Sequence, residues 1–302
     1  MESKIVLVTG SSSGFGRLIT ETLARQGHTV FAGIRDTGGR NADQIAALQA
    51  LADRDGLKIH SVDLDVTDES SVTQAVSDLL AQAGRLEVLV NNVGQGSWGL
   101  TEGFTAQQTQ QLFETNVFGA MRLNRAVLPQ MRSQRSGLLI HVSTLVGRLV
   151  LPFMVPYAAA KHALETVAEG YRYELAPFGV DSVIVEPQSY PTAGSLDKMV
   201  LPHDQERVQA YGDLAVRGAG MFAYNDQSLR SGQMGNPQDV ADAVATLMAM
   251  PTGARPLRTV VAAQMGGLVE PINAVTEGVQ AQLLQFTGLG DLAASTPAVP
   301  AS

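Results

Sequence analysis

The sequence predicts an α/β fold in which a doubly wound parallel β-sheet of about seven strands is flanked by helices in a single domain. Short apolar runs rich in Val, Ile and Leu alternate with stretches of helical spacing, which is typical of successive βαβ units. The apolar runs are nearly continuous, as expected of strands that are buried on both faces. The chain has 302 residues, 45% of them hydrophobic and 17% charged, so it is long enough for one such globular domain.

The predicted elements follow one another without an internal repeat or a dividing linker. The predicted strands are 4–8, 28–34, 57–62, 86–90, 138–143, 180–185 and 259–262. The predicted helices are 17–26, 42–52, 68–83, 105–131, 155–175 and 236–250, and 271–286 has an amphipathic helical pattern. We assign 1–292 to one Rossmann-type domain, with a lid at 189–235, a C-terminal extension at 264–292 and a flexible tail at 293–302.

Local signals support the ends of several helices. Gly27 follows the first helix, and glycine commonly ends helices because it tolerates a left-handed backbone. Asp68 and Glu69 suit the positive N-terminal end of the third helix. Pro156 fits the first turn of the helix at 155–175, because its missing N–H has no partner there in any case.

Composition and charge exclude several function classes. The net charge is −8 with no long basic run, which argues against nucleic acid or an anionic membrane as a partner. No cysteine is present, and the five histidines are scattered without ligand spacing, so the sequence predicts no metal site. No apolar run approaches the ~20 residues that span a bilayer, and the first residues lack a signal-peptide pattern. We therefore expect a cytoplasmic protein.

A glycine-rich turn after the first strand predicts a nucleotide site. Gly10, Gly14 and Gly16 allow a tight turn and let the backbone approach a pyrophosphate, while the helix that follows offers unpaired N–H groups. The side chains of Ser12 and Ser13 can add hydroxyl donors. The alternative is a flexible surface turn, but a strand before the turn and a helix after it favour nucleotide binding.

The end of the second strand bears on the choice of nucleotide. Ile34 stands where an acid would select NAD, and Arg35 follows it, so the sequence favours NADP(H). The adjacent Asp36 leaves NAD(H) possible. Arg17 is either a second phosphate contact or a solvated helix-surface residue. After the third strand, the Asp65 carboxylate could accept from the adenine amine, with the backbone of Val66 beside it, while Thr67 or Asp68 caps the next helix.

Tyr157 and Lys161 are four residues apart and so lie on one face of a predicted helix. An ammonium beside a phenol favours phenolate, so we expect Lys161 to lower the pKa of Tyr157 from about 10. A phenol tuned in this way is a proton donor for a reacting oxygen. The plain alternative is a helix with one buried tyrosine and one exposed lysine.

Together these motifs resemble the short-chain dehydrogenase/reductase family. The turn at 9–16, the Asn-Asn-Val-Gly element at 91–94 and the loop at 187–192 match its motifs in order and spacing, as do Asn116, Ser143, Tyr157 and Lys161. The resemblance covers nearly the whole chain to about residue 262. Two positions depart from the family pattern. Val93 replaces an alanine, and Gln188 replaces a glycine beside the nicotinamide.

The resemblance implies reversible hydride transfer between a nicotinamide and a carbonyl carbon. It implies that Tyr157 supplies the proton, that Ser143 binds the carbonyl oxygen, and that Lys161 tunes Tyr157 and grips the ribose. Asn116 would hold a water that links Lys161 to solvent. The implied cofactor contacts are Gly10, Ser12, Ser13, Gly14, Phe15, Gly16, Arg35, Asp65, Val66, Asn92, Gly94, Tyr157, Lys161, Pro187, Gln188 and Thr192. The family also implies a homodimer or homotetramer that pairs through the helices carrying Asn116 and Tyr157.

Apolar residues after Ser143 and at the start of the lid favour a hydrophobic or aromatic ketone, or the matching secondary alcohol, as the small-molecule substrate. The candidate substrate contacts are Gln95, Leu145, Phe153 and Tyr190. Ordinary core and lid packing is the alternative for the apolar ones. Two rival functions remain open at this point: an alcohol or hydroxysteroid-like dehydrogenase that works in oxidation, and a Rossmann protein that binds NADP without turnover.

Overall fold

Seven parallel strands form one central sheet in the order β3-β2-β1-β4-β5-β6-β7. The computed structural model describes residues 2–192, 198–231 and 234–293. The strands are β1 Ile5–Thr9, β2 Thr29–Ile34, β3 Ile59–Asp63, β4 Val88–Asn91, β5 Gly137–Val142, β6 Val180–Pro187 and β7 Arg258–Val261. The N-terminal strand lies in the interior of the sheet, so the order of the strands reverses between β1 and β4. Such a reversal opens a crevice at the carboxyl ends of the strands, where ligands of this fold class bind.

Ten α-helices lie among the described residues. They are α1 Gly14–Arg25, α2 Ala42–Asp55, α3 Glu69–Ala83, α4 Ala106–Phe113, α5 Gly119–Gln134, α6 Val155–Glu174, α7 Gln205–Gln209, α8 Asp213–Arg230, α9 Gln238–Ala249 and α10 Gly266–Phe286. The expected polar caps are present at the third helix, where the Asp68 carboxylate accepts from the backbone N–H groups of Ser70 and Ser71. None of the helices described is both long and apolar enough to cross a membrane.

Two apolar layers bury the two faces of the sheet. Val6 and Val8 belong to the layer with Val240 and Val244 of α9, whereas Leu7 belongs to the opposite layer with residues of α3 and α5. Successive side chains of a strand point to opposite faces, so a strand between two helical layers must be apolar throughout. This confirms the basis on which the strands were predicted.

The structure departs from the predicted helices at two places. The continuous helix expected over 105–131 is divided, because the turn Glu114–Phe118 between α4 and α5 has π-helical hydrogen bonding. Such a turn cannot be seen in the spacing of apolar residues, and π-turns are frequent at functional sites. The C-terminal helix begins at Gly266, earlier than the amphipathic pattern at 271–286.

The predicted lid at 189–235 contains α7 and α8. Its residues 193–197 and 232–233 lie outside the described residues, as does the predicted tail from 294 onward. The described part of the lid is tied to the domain at residue 200. Val200 N donates to the Gly96 carbonyl oxygen at 2.9 Å, and Trp98 N donates to the Val200 carbonyl oxygen at 3.0 Å.

Candidate active site

The glycine turn between β1 and α1 forms one wall of the crevice. Gly10 and Gly14 have φ angles of +70° and +58°, which residues with a side chain rarely adopt. A β-carbon built on Gly16 would lie only 2.3 Å from the Gly10 carbonyl oxygen and 2.6 Å from Asn92 Nδ2. The turn therefore has this shape only with glycine at these positions.

The first turn of α1 offers unpaired backbone N–H groups. Ser13, its N-cap, makes no side-chain hydrogen bond into the helix, and no acidic residue lies in that turn. Lys198 Nζ donates to Ser13 Oγ at 3.1 Å, which brings a cation to the same place. Thr192 packs against Gly14 from above the turn. An uncapped helix N-terminus with a lysine beside it suits an anion, so these residues fit the pyrophosphate of a dinucleotide.

Asn92 fastens the end of β4 to the end of β1. Its Nδ2 donates to the Thr9 carbonyl oxygen at 2.8 Å, and its backbone N donates to Thr9 Oγ1 at 2.9 Å. These bonds fix the spacing of the two strands that border the crevice. Asn92 therefore shapes the nucleotide wall through the backbone of its neighbour.

The ends of β2 and β3 bring together the residues that were expected to read the nucleotide. Arg35 is half exposed, and its Nη1 lies 4.0 Å from Asp65 Oδ2. The other Asp65 oxygen accepts from Thr67 N at 2.9 Å and from Thr67 Oγ1 at 2.7 Å. The Val66 carbonyl oxygen accepts from Arg122 at 2.7 Å. Arg17, the other candidate, pairs with Glu21 on its own helix.

Tyr157 and Lys161 lie in the first two turns of α6, as predicted, but their relationship differs from the expectation. Lys161 Nζ donates to the Val142 carbonyl oxygen at 2.8 Å and lies 6.0 Å from the centre of the Tyr157 ring. Burial raises the pKa of Tyr157 to about 12, and a hydrogen bond with Thr144 opposes that rise. The prediction that Lys161 lowers the pKa of Tyr157 is therefore wrong for this structure. Desolvation dominates, and the lysine is bonded to backbone.

Burial also acts on the lysine. It lowers the pKa of Lys161 to about 8, while the charge of Glu165 raises it. The ammonium is held at the end of β5, and 3% of the surface of Lys161 is exposed. The alternative of an exposed lysine on the helix surface is thus excluded by its position.

Ser143 follows β5, and its Oγ lies 2.7 Å from Glu165 Oε1. Both residues are buried. Glu165 was not predicted as a site residue, although it stands four residues after Lys161 and so shares its helix face. The available signal was this spacing, which places a carboxylate one helical turn from the lysine. A β-carbon built on Gly147 would strike both Glu165 Oε1 and Ser143 Oγ, at 2.1 and 2.6 Å.

Behind Ser143 lies a buried acid cluster that consists of Glu165, Glu169, Glu186 and Arg258. Arg258 Nε lies 3.2 Å from Glu165 Oε2 and 3.5 Å from Glu186 Oε1, and its Nη2 lies 2.7 Å from Glu169 Oε2. Three carboxyl groups thus share one guanidinium. Burial, and then the charge of Glu165, raise the pKa of Glu186 to about 8.

Asn116 lies in the π-turn and holds the backbone of Gln95. Its Nδ2 donates to the Gln95 carbonyl oxygen at 3.0 Å and to the Leu112 carbonyl oxygen at 2.8 Å. Its Oδ1 accepts from Gln95 N at 3.1 Å. A β-carbon on Gly94 would lie 3.0 Å from Asn116 Oδ1 and 3.3 Å from Lys161 Nζ. Asn116 and Lys161 therefore approach the same point of the backbone, which glycine leaves open.

Gln188, which follows Pro187 at the end of β6, is buried, and its side chain is used within the protein. Its Nε2 donates to the Met234 carbonyl oxygen at 2.7 Å, and its Oε1 accepts from Gln264 N at 3.3 Å. The glutamine thus joins the lid to the segment after β7. Tyr190 is also buried. Its hydroxyl donates to the Val261 carbonyl oxygen at 3.1 Å, and its ring meets the Phe15 ring edge-on at 5.9 Å.

An apolar cluster borders Tyr157 on the side of the lid. The Trp98 and Phe153 rings stack at 6.2 Å, and Phe222 of α8 lies 5.7 Å from Trp98. Tyr157 packs against this cluster. Phe153 is held at a φ of +71°, which is unusual for a bulky residue. The predicted substrate contacts Phe153 and Leu145 are buried, and Gln95 is partly exposed beside the lid. Trp98 was not predicted as a site residue, because the sequence around a lone tryptophan does not show what packs against it.

Comparison with known proteins shows which proteins this chain resembles. The family model described as short chain dehydrogenase matches residues 4–197. The uncharacterized oxidoreductase YusZ of Bacillus subtilis is 35% identical over 82% of this chain and 85% of its own. The 3-ketodihydrosphingosine reductase of Bacteroides thetaiotaomicron is 32% identical over 72% and 75% of the two chains, and retinol dehydrogenase 8 of Bos taurus is 34% identical over 81% and 78%.

A solved structure agrees with these relatives. The crystal structure of a short-chain dehydrogenase from Streptomyces avermitilis superposes with a TM-score of 0.74 at 32% sequence identity. The match covers 96% of this chain and 98% of that one.

Proposed function

Because this chain belongs to the short-chain dehydrogenase family, we propose that it is an NADP(H)-dependent oxidoreductase that reduces a hydrophobic or aromatic ketone to a secondary alcohol. The observation that carries the proposal is that Tyr157 and Lys161 both bond the end of β5 on either side of Ser143, through Thr144 and the Val142 carbonyl oxygen. A nicotinamide bound there would supply the hydride. The chain's own groups would then orient the carbonyl and deliver the proton.

Tyr157 is suited to give a proton rather than to take one. A phenol whose pKa is near 12 is fully protonated at neutral pH. The oxygen of a carbonyl that receives hydride becomes an alkoxide, which is a much stronger base than phenolate, so the transfer from Tyr157 is favourable. Tyr157 is therefore competent as the proton donor in the proposed reduction.

Ser143 and Lys161 would prepare the site for that transfer. A hydroxyl at the end of β5 can hydrogen-bond the carbonyl oxygen and stabilise the charge that grows there. Lys161 uses one of its three N–H donors on Val142, which leaves two for ribose hydroxyls and for the proton path through Asn116. Gly94 leaves these two side chains room to approach each other.

Two observations support a hydrophobic substrate. The aromatic cluster of Trp98, Phe153 and Phe222 lies against Tyr157, so one side of the reacting group is apolar. One relative is named for 3-ketodihydrosphingosine and another for retinol, and both compounds are hydrophobic. Leu145, Phe153 and Gln95 are the proposed substrate contacts, and Tyr190 remains a predicted one.

The proposed assembly is a homodimer or homotetramer formed through the helices around the π-turn. Phe118 and Met121 are large apolar residues at the start of α5, and they are 44% and 38% exposed. Such residues next to each other on a helix surface are typical of a subunit contact.

The test follows the loss of NADPH absorbance with a panel of bulky ketones. We expect turnover by the wild type and its loss in Tyr157→Phe. Tyr173→Phe is the matched control, because Tyr173 is also half-buried on α6 but bonds to Glu169 at 3.2 Å, away from the crevice. Turnover that survives Tyr157→Phe would refute the proton-donor role. Binding of NADPH without turnover of any ketone would favour the non-catalytic reading.

A further inference from the structure

Ser143 is one end of a series of buried polar contacts that runs from the end of β5 to Asn273 of α10. Its Oγ lies 2.7 Å from one oxygen of Glu165, and the other oxygen of Glu165 accepts from Arg258 Nε at 3.2 Å. Arg258 lies 3.5 Å from Glu186, which accepts from Asn273 of α10 at 2.6 Å. All five residues are buried. Water therefore does not compete for these bonds, and the position of each proton matters.

The direction of the first bond decides what Ser143 can do. A serine hydroxyl carries one proton. An ionised Glu165 only accepts, so the Ser143 proton would point toward Glu165 and away from any carbonyl in the crevice. A protonated Glu165 can donate to Ser143 Oγ instead, which leaves the serine proton free for a carbonyl oxygen. A separation of 2.7 Å suits either direction.

Burial favours a retained proton on Glu165, while the charges of Arg258 and Arg148 oppose it. The groups that face it are Glu186 of β6 and Arg258 of β7, Lys161 and Glu169 of α6, and Arg148 after β5. Three carboxyl groups of the buried acid cluster share the single guanidinium of Arg258. Among the described residues, Glu186 Oε1 and Arg258 Nη1 have no hydrogen-bond partner.

Burial disfavours the charged form of both acids. It raises the pKa of Glu165, and it raises that of Glu186 to about 8. Like-charged carboxyl groups in one buried site do not all ionise together, so the cluster keeps a proton near neutral pH.

We infer that Glu165 is a positioning residue for Ser143: a proton held on Glu165 Oε1 turns the serine into a hydrogen-bond donor toward the substrate oxygen. The inference rests on the carbonyl reduction proposed above. When Glu165 loses this proton, it accepts from Ser143 and the serine stops polarising the carbonyl. The proton of the cluster is not consumed, because Tyr157 still supplies the one that the alkoxide takes.

Glu165→Gln tests the inference because its side chain has the same shape and one permanent donor. The amide N–H₂ can donate to Ser143 at every pH, while the amide oxygen accepts from Arg258. The contribution of Ser143 is measured as a ratio of ketone-reduction rates, with and without the Ser143→Ala substitution. The ratio is determined across pH twice, once in the otherwise wild-type protein and once in Glu165→Gln. Titration of Lys161 affects both rates in a ratio equally and therefore cancels.

We expect the wild-type ratio to be about a hundredfold at pH 6 and to fall toward one as the pH rises and Glu165 ionises. In the Glu165→Gln background it should stay within about twofold of its value at pH 6. Glu169→Gln is the matched control. It removes a carboxylate that also bonds Arg258, at 2.7 Å, but has no contact with Ser143, so the fall should remain. A Glu165→Gln ratio that falls as in the wild type would overturn the inference.

A second measurement needs no turnover. Infrared difference spectra of the chain should show a protonated-carboxyl band that disappears as the pH rises through about 8, and Glu165→Gln should alter this band. A wild-type spectrum without the band would overturn the positioning role even if ketones are reduced. Failure of the wild type to reduce any ketone would instead overturn the proposed function, and the infrared result would show separately whether the cluster holds its proton.

Discussion

Lys161 Nζ donates a hydrogen bond to the carbonyl oxygen of Val142 at 2.8 Å, and this bond links the start of α6 to the end of β5. It fixes the ammonium in the interior, 6.0 Å from the centre of the Tyr157 ring. The two partners of the YxxxK pattern therefore influence each other less than their helical spacing indicates, and burial determines the pKa of both.

Lys161 should titrate near pH 8, because burial disfavours its charged form and the neighbouring Glu165 only partly compensates. It should thus lose its proton well before an exposed lysine does. The ¹³Cε chemical shifts of the four lysines, followed by NMR as a function of pH, measure this directly. Lys161→Arg identifies the signal by its loss. If the signal assigned to Lys161 titrates near 10.5, burial does not lower the pKa of this lysine.

Gly16→Ala should distort the glycine turn, because its β-carbon would lie 2.3 Å from the Gly10 carbonyl oxygen. We expect NADPH affinity, measured by calorimetry, to fall at least tenfold, with a loss of stability of about 1–3 kcal/mol. Gly278→Ala is the control, since it lies in α10 with no atom within 4 Å of the added carbon, and it should stabilise the helix slightly. Equal NADPH affinity in both variants would show that the turn does not hold the nucleotide.

Arg35→Ser should separate the two nicotinamide cofactors. Arg35 is exposed at the end of β2, where a 2′-phosphate would be recognised, so we expect KM for NADPH to rise about tenfold and KM for NADH to change little. The NADPH effect should weaken at high salt. Arg40→Ser removes an equally exposed arginine that pairs with Asp36 at 3.6 Å, and it should leave both constants near wild type. A similar loss with both cofactors would reject phosphate recognition by Arg35.

Glu186→Gln should flatten the pH dependence of stability. The pKa of Glu186 is about 8 in the folded chain, above its usual value of 4.5, so the folded state binds more protons than the unfolded state between these values. Its contribution is complete below about pH 4.5 and is lost as the pH rises to 8. The wild type should therefore lose on the order of 4 kcal/mol of unfolding free energy from this source over that range.

Urea unfolding at pH 5 and pH 8 measures the difference. Replacement of the exposed Glu174 by Gln serves as the control and should leave the wild-type difference in place. A Glu186→Gln variant that loses as much stability as the wild type between the two pH values would place the titrating group elsewhere.

Local pattern was enough to predict the sheet and the positions of the main site residues. Strands buried on both faces are apolar throughout. Each motif lies within a single strand, turn or helix, so its spacing can be recognised without knowing the rest of the fold. The pKa of Tyr157 could not be predicted in this way, because it depends on how deeply the finished fold buries the ring. The role of the Gln188 side chain could not be predicted for the same reason, because its partners, Met234 and Gln264, come from segments that are distant in sequence.

Glu165 shows the limit most clearly. Its spacing from Lys161 places it on the same face of α6 as the lysine. The role of its carboxyl group, however, depends on Ser143, Arg258 and Glu186, which belong to three other parts of the chain. Residue type alone cannot tell a buried, partnered acid from a solvated one.

The position of Arg258 in the last strand also bears on how the chain reaches its native state during synthesis. The acids that Arg258 compensates, at 165, 169 and 186, leave the ribosome well before it does. Until β7 docks at the sheet edge, closing the crevice around Ser143 would bury carboxylates without their cation, which is strongly unfavourable. A nascent chain shorter than 258 residues should therefore remain open on this side and sensitive to proteases, and the late arrival of one cation would make completion of the active site a final step of folding.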